Sequence, residues 1–127
     1  MSEVPAELRY TKDHEWTRVE GDMATVGITD HAQGELTEFV YVQLPKEGDR
    51  LSKGDVLAIV ESVKNTADVY APVSGEVVAV NGPLDDDPSQ INRSPYDNGW
   101  IARIKMSEPG ELDKLMDASA YRKHIGE

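Results

Sequence analysis

The chain has 127 residues, sets 13 Lys and Arg against 24 Asp and Glu for a net charge of -11, and contains no cysteine. This length argues for one domain, 1–127, with a modest core that is mostly aliphatic, because aromatic residues make up only 6%. The acidic balance argues against nucleic acid and anionic membrane, which need a positive footprint, and the missing thiols exclude disulfides, thiolate catalysis and Cys-based zinc sites.

Met1 to Leu8 shows no basic run ahead of an apolar core, so no secretory signal is read there. No stretch approaches transmembrane length. A cytoplasmic location is expected, or the mitochondrial matrix if a transit peptide has been removed. Trp16 to Val19 reads as a strand, closed by Glu20, Gly21 and Asp22. Ala24, Val26 and Ile28 alternate with other residues, as in a half-buried strand. Asp30 is expected to cap a short helix. Ile28, Ala32 and Leu36 fall at i, i+4 and i+8 and share one side of that segment. Phe39 to Leu44 is strand-like and stops at Pro45. Val56 to Val60 and Gly75 to Val80 are short apolar runs bounded by turn residues. Asp87 and Pro88 suggest a cap and first helical position, opening a helix through Ile91. Trp100 to Ile104 is a last strand. Leu112, Leu115, Met116 and Tyr121 predict one or two terminal helices within about 108–125, outside a core of about 8–106. Many short strands with frequent turns indicate a small all-β sandwich or barrel.

The most informative pattern is local. Gly54-Asp55-Val56-Leu57-Ala58-Ile59 matches Gly75-Glu76-Val77-Val78-Ala79-Val80 at an offset of 21 residues. The midpoint falls between Lys64 and Asn65. Such a repeat suggests two strand-turn units related by a quasi-two-fold axis. Between them, Glu61 to Asp68 is polar enough at its middle for a hairpin tip. The Lys64 ammonium would then stand in solvent on a stiff two-stranded support, as a modifying enzyme requires. A lysine in a turn is ordinarily just solvated, so the residues alone stop at a candidate attachment site.

Further motifs carry a resemblance. Glu61-Ser62-Val63-Lys64, followed by Asp68-Val69-Tyr70-Ala71-Pro72-Val73-Ser74-Gly75-Glu76-Val77, resembles the lipoylation segment of glycine cleavage H proteins. Tyr10-Thr11-Lys12-Asp13-His14-Glu15-Trp16 is similar to the family's N-terminal motif. Val26-Gly27-Ile28-Thr29-Asp30-His31-Ala32-Gln33 is similar to its helix-opening motif. Val40-Tyr41-Val42-Gln43-Leu44-Pro45, and Asn92-Arg93-Ser94-Pro95-Tyr96 with Gly99-Trp100, follow in the family's order. Together they cover roughly residues 8 to 125. Gly48 and Gly75 lie 16 before and 11 after Lys64, where lipoyl domains typically keep glycines; Gly75 is expected to supply the positive φ of a tight turn. Two departures stand out. Thr37 replaces a usual glycine, and Gly34 sits inside the expected helix, at a cost of about 1 kcal/mol relative to Ala.

The resemblance implies a mainly β fold, a barrel-sandwich hybrid of the lipoyl and biotinyl type with short added helices. It implies a non-catalytic carrier with lipoate joined to Lys64 as an amide. The carrier would shuttle an aminomethyl intermediate between glycine decarboxylase (P protein), aminomethyltransferase (T protein) and dihydrolipoamide dehydrogenase (L protein). Lipoate ligase or octanoyl transferase would modify Lys64, and the carrier is expected to be a monomer. In this family the loaded arm folds into a cleft, where carboxylates can hold its ammonium by charge-assisted hydrogen bonds. By motif position these are Glu15 and Asp68, with Asp13 as a helper. Ile28, Ala32 and Leu36 are expected on the apolar side of the cleft; ordinary core packing is the competing reading for them, and plain surface acids for the carboxylates.

Other readings compete less well. Biotinyl lysines typically lie between methionines, whereas Val63 and Asn65 flank Lys64. Lipoyl domains of 2-oxo acid dehydrogenases typically place Asp and Ala around the lysine. An octanoyl or lipoyl relay in lipoate metabolism is the alternative function. No nucleophile, base and oxyanion hole assemble into an enzyme. No metal site is expected: His14-Glu15 lacks the second histidine of a zincin because position 18 is Arg18, Asp85-Asp86-Asp87 lacks the rest of a calcium loop, and His31 and His124 have no paired ligand.

Overall fold

The computed structural model describes residues 2–127. Among these residues nine short strands form two antiparallel sheets, with three short α-helices and two 3-10 segments between and after them. The strands are β1 (Arg9–Tyr10), β2 (Glu15–Glu20), β3 (Met23–Ile28), β4 (Phe39–Gln43), β5 (Arg50–Leu51), β6 (Val56–Ser62), β7 (Thr66–Tyr70), β8 (Gly75–Val80) and β9 (Ala102–Met106). The helices are α1 (Asp30–Leu36), α2 (Gln90–Arg93) and α3 (Ala118–His124). One sheet runs β1-β2-β3-β9-β8-β5 and the other β4-β6-β7; neither closes on itself. This is the expected mainly β sandwich-type fold with added helices. No helix among the described residues is long and apolar enough to cross a membrane.

The main core lies between the sheets. Ala24, Val26, Ile104 and Val77 come from one side, and Phe39, Val42, Val60 and Val69 from the other, all buried. This cluster is aliphatic apart from Phe39, as the composition predicts. A second cluster is aromatic: Tyr10, Trp16, Tyr96 and Tyr121 pack with Val4 and Leu8. The Trp16 indole N–H donates to the Pro95 carbonyl at 3.0 Å. Gly27 lies opposite Trp16 in the β2–β3 register, and a Cβ there would come within 2.7 Å of the indole ring.

The internal repeat is a structural repeat. The two matched segments become β6 and β8, one in each sheet. Both carry a register shift at the same repeat position, between Val56 and Ala58 in one and between Val77 and Ala79 in the other. Each bulge adds a residue that bends its strand. Gly54 begins one repeat with φ of +94° and turns the chain. Gly75 plays a different part from the tight turn expected of it. It lies within β8, paired with Leu51 and Met106, and a Cβ would meet the Lys105 carbonyl oxygen at 2.1 Å. Close approach of β9 backbone, not a turn, requires glycine there.

Helix boundaries differ from expectation. The N-cap of α1 is Thr29, whose hydroxyl accepts from the Ala32 N–H at 3.2 Å. Asp30 instead accepts from Gln33 Nε2 and from the Glu3 N–H, each at 2.8 Å. Asp87 and Pro88 precede α2 rather than open it; Asp87 pairs with Arg93 and accepts from the Ser89 hydroxyl. The last strand begins at Ala102, not Trp100. The tail divides into a 3-10 segment, Pro109–Lys114, and α3.

Candidate functional site

Lys64 stands in the three-residue loop between β6 and β7, and Glu61 pairs with Thr66 just below it. Lys64 is exposed, and its neighbour Val63 is 67% exposed. The loop is nonetheless built firmly. Ser62 Oγ accepts from the Lys64 and Asn65 N–H groups at 3.2 and 2.9 Å. The Ser62 N–H donates to the Asn65 carbonyl at 2.7 Å, and the Val63 N–H donates to the Glu38 carbonyl at 3.0 Å. The backbone beneath the lysine is fixed while its side chain stays accessible.

A pocket of about 210 Å³ lies along the same hairpin. Val60, Ala67, Asp68 and Val69 line it from β6 and β7. Ile28, Ala32, Glu35 and Leu36 close it from β3 and α1, and Asp13, His14 and Glu15 from the N-terminal motif. The structure thus brings together Glu15, Asp68, Ile28, Ala32 and Leu36. The three apolar residues both pack against the main core and line the pocket, so their two readings are compatible.

Glu15 is far from a surface acid, at 2% exposure. Its carboxylate accepts from the Thr11 hydroxyl and from the Tyr70 N–H, the latter at 3.2 Å. Burial pushes its pKa up to about 7 against those two hydrogen bonds, and the nearby Asp13 carboxylate adds to the rise. Asp68 is exposed on β7 at the pocket edge.

The sequence weighs the histidines only as metal ligands, whereas the fold gathers all three beside the pocket. His14 has φ of +74° and donates to or accepts from the Tyr121 hydroxyl at 2.8 Å through Nδ1. That hydroxyl also meets Thr29 Oγ1 at 2.7 Å. The His31 ring centroid lies 4.9 Å and the His124 centroid 5.7 Å from that of His14. His31 Nε2 is 3.2 Å from Glu35 Oε1, an i,i+4 pair on α1. The four-residue spacing of His31 and Glu35 on a helix was the signal in the sequence for this pair. His124 Nε2 meets the Lys12 carbonyl at 2.9 Å. Burial, with His31 next, holds the His14 imidazole below its ordinary pKa.

The family profile described as glycine cleavage H-protein matches residues 8–127. The chain belongs to the glycine cleavage H-protein family. It is 56% identical over 122 residues to a glycine cleavage system H protein of Salmonella paratyphi C, covering 95% of each chain. It is 49% identical over 125 residues to one from Alcanivorax borkumensis, covering 98% of each. A crystal structure of a glycine cleavage system H protein from Mycobacterium marinum superposes with a TM-score of 0.90 at 38% identity, over 98% of this chain and 100% of that one. Glycine cleavage H proteins are lipoyl-bearing carriers of the glycine cleavage system. They hold lipoate covalently on a lysine, serve the system's P, T and L proteins, and are not themselves enzymes.

Proposed function

We propose that Lys64 is the lysine that bears the lipoyl group, and that the pocket beside it receives the end of the arm. The observation that carries this reading is the exposed, hydrogen-bonded hairpin loop continuous with a pocket that holds a buried acid. The residues fit the group. Ala67 lies only three residues after Lys64, at most roughly 10 Å of chain. A lysine with a lipoyl chain, extended, reaches on the order of 10–15 Å. The arm is long enough to fold back from Lys64 into the cleft.

When attached, lipoate supplies a dithiol that carries a one-carbon amine and a pair of electrons between enzymes. Everything else is the work of this chain. Ile28, Ala32, Leu36 and Val60 give the apolar stem a dry surface. Glu15 and Asp68 offer carboxylates to a cationic amine at the tip, and the charge-assisted hydrogen bond to buried Glu15 is the one strengthened by exclusion from water. Thr11 and Tyr70 hold the Glu15 carboxylate in position. A cation beside Glu15 draws its raised pKa down, so seating the amine releases a proton from the carboxyl near neutral pH. The same exposed loop suits lipoate ligase or octanoyl transferase, and the carrier is read as a monomer.

Intact mass is the direct test. Co-expression with a lipoate ligase should add one lipoyl group to the wild-type chain and none to Lys64→Arg. A lipoyl adduct on Lys64→Arg would refute the assignment. Lifetimes of the aminomethyl-loaded protein test the acids: Glu15→Gln and Asp68→Asn should shorten them, and unchanged lifetimes would remove both from that role.

A further inference from the structure

His14, His31 and Glu35 play no part in the attachment of the arm, yet they converge at the edge of its pocket. One ligand-capable atom from each lies within 4.8 Å of the others. His31 Nε2 and Glu35 Oε1 are 3.2 Å apart. A tetrahedral zinc ion with bonds of about 2.0–2.1 Å spaces its ligands by roughly 3.3 Å, so this pair already spans one edge of such a site. Glu35 is the solvent-exposed and adjustable member of the three. His14 is the fixed member, held by Tyr121. We propose that His14, His31 and Glu35 bind a divalent cation of the zinc class at the mouth of the pocket.

The donor set decides the class of ion. Two imidazoles and one carboxylate suit Zn²⁺ and its first-row neighbours, whereas Mg²⁺ and Ca²⁺ require oxygen ligands. Three protein ligands leave a fourth position for water or another donor. His14 and Glu35 themselves line the pocket, so an ion held by them would lie at its edge. Metal-bound histidines are oriented by a partner on their other ring nitrogen. His14 has that partner: its Nδ1 meets the Tyr121 hydroxyl, which meets Thr29 Oγ1. This chain of hydrogen bonds can run in either direction. The direction in which Nδ1–H donates leaves Nε2 free for the ion, and metal binding selects it.

An ion at this place narrows the entrance to the pocket. The site needs only the polypeptide, so it is tested on the full-length chain without lipoate, and the outcome is separate from the assignment of Lys64. Titration with ZnCl₂ at pH 7.5, by calorimetry and by competition with a chromophoric chelator, should show one ion per chain. MgCl₂ at the same concentration should show none. His31→Gln and Glu35→Gln change side chains on the surface of α1 and should each weaken Zn²⁺ at least about tenfold, the smallest loss typical even of residues behind the ligands. Tyr121→Phe should also weaken it about tenfold by removing the partner of Nδ1. Long-range ¹H–¹⁵N spectra of the wild type should shift at His14 and His31 with one equivalent of Zn²⁺. A stoichiometry below one, or wild-type affinity retained in both α1 variants, overturns the proposal.

Discussion

Glu15 shows how a single residue can be legible as a type and illegible as an environment. Its motif, His14-Glu15-Trp16, marks an acid by position. Nothing local announces that Tyr70, 55 residues away, will cap it, or that it will be 2% exposed. The consequence is a pH dependence. Glu15 has its pKa raised from 4.5 to about 7 by folding, so between these values the native state binds more protons than the unfolded chain. Stability from this group is fully present below pH 4.5, and is lost as pH rises through about 7. The loss amounts to about 3 kcal/mol at most, taking about 1.4 kcal/mol per pKa unit. Glu15→Gln keeps the shape without the charge and should flatten this slope. Urea midpoints of both proteins at pH 5 and pH 8 check it: the wild type should lose more than the variant, and parallel curves would show that the carboxyl does not titrate near 7.

At the scale of elements, the strands of the two core layers were readable because burial on one face imposes alternation on the sequence. β1 and β5, two residues each, are too short for any period to register. The cap of α1 was misplaced by one residue because Thr29 and Asp30 are both good cap residues, and only Tyr121 and Tyr96, which bind them from distant segments, separate their roles. The departure at Thr37 is resolved more sharply. Thr37 ends α1 with φ of +66°, a left-handed conformation that a β-branched residue adopts at a cost. Its backbone is kept there by the Asn92 side chain, whose Nδ2 donates to the Thr37 carbonyl at 2.7 Å. Thr37→Gly should therefore stabilise the protein by about 1 kcal/mol, since relief of strain exceeds the entropic cost of glycine. Gly34 tests the opposite substitution. It is helical, and a Cβ there would have no atom within 4 Å. Gly34→Ala should add about 0.5–1 kcal/mol. Equilibrium urea unfolding measures both, and a Thr37→Gly protein weaker than wild type would mean that the hydroxyl's bond to the Leu36 carbonyl outweighs the strain.

Over the whole molecule, the two sheets account for the main core, but the site depends on what joins distant parts of the chain beside it. The few aromatic residues predicted an aliphatic interior, and that holds between the sheets. They gave no hint that four of the aromatic residues would gather in one place and lock the N-terminal motif, the start of α1 and the terminal helix together. Tyr121 is the centre of that junction. Its ring stacks on Tyr10 at 4.7 Å and 12°, and its hydroxyl joins His14 to Thr29. Two contributions can be separated by substitution. Tyr121→Phe keeps the stack and removes the hydroxyl, taking a hydrogen-bond partner from half-buried His14 and buried Thr29, at about 1–3 kcal/mol. Tyr121→Ala removes the ring as well and should cost about 3–5 kcal/mol in total. Neither residue change touches the β6–β7 hairpin, so lipoylation of Tyr121→Phe should proceed as in the wild type. Denaturation midpoints together with intact mass after incubation with a lipoate ligase decide the matter. Equal costs for the two variants would show that the hydroxyl network, not the stacked ring, ties α3 to the pocket wall.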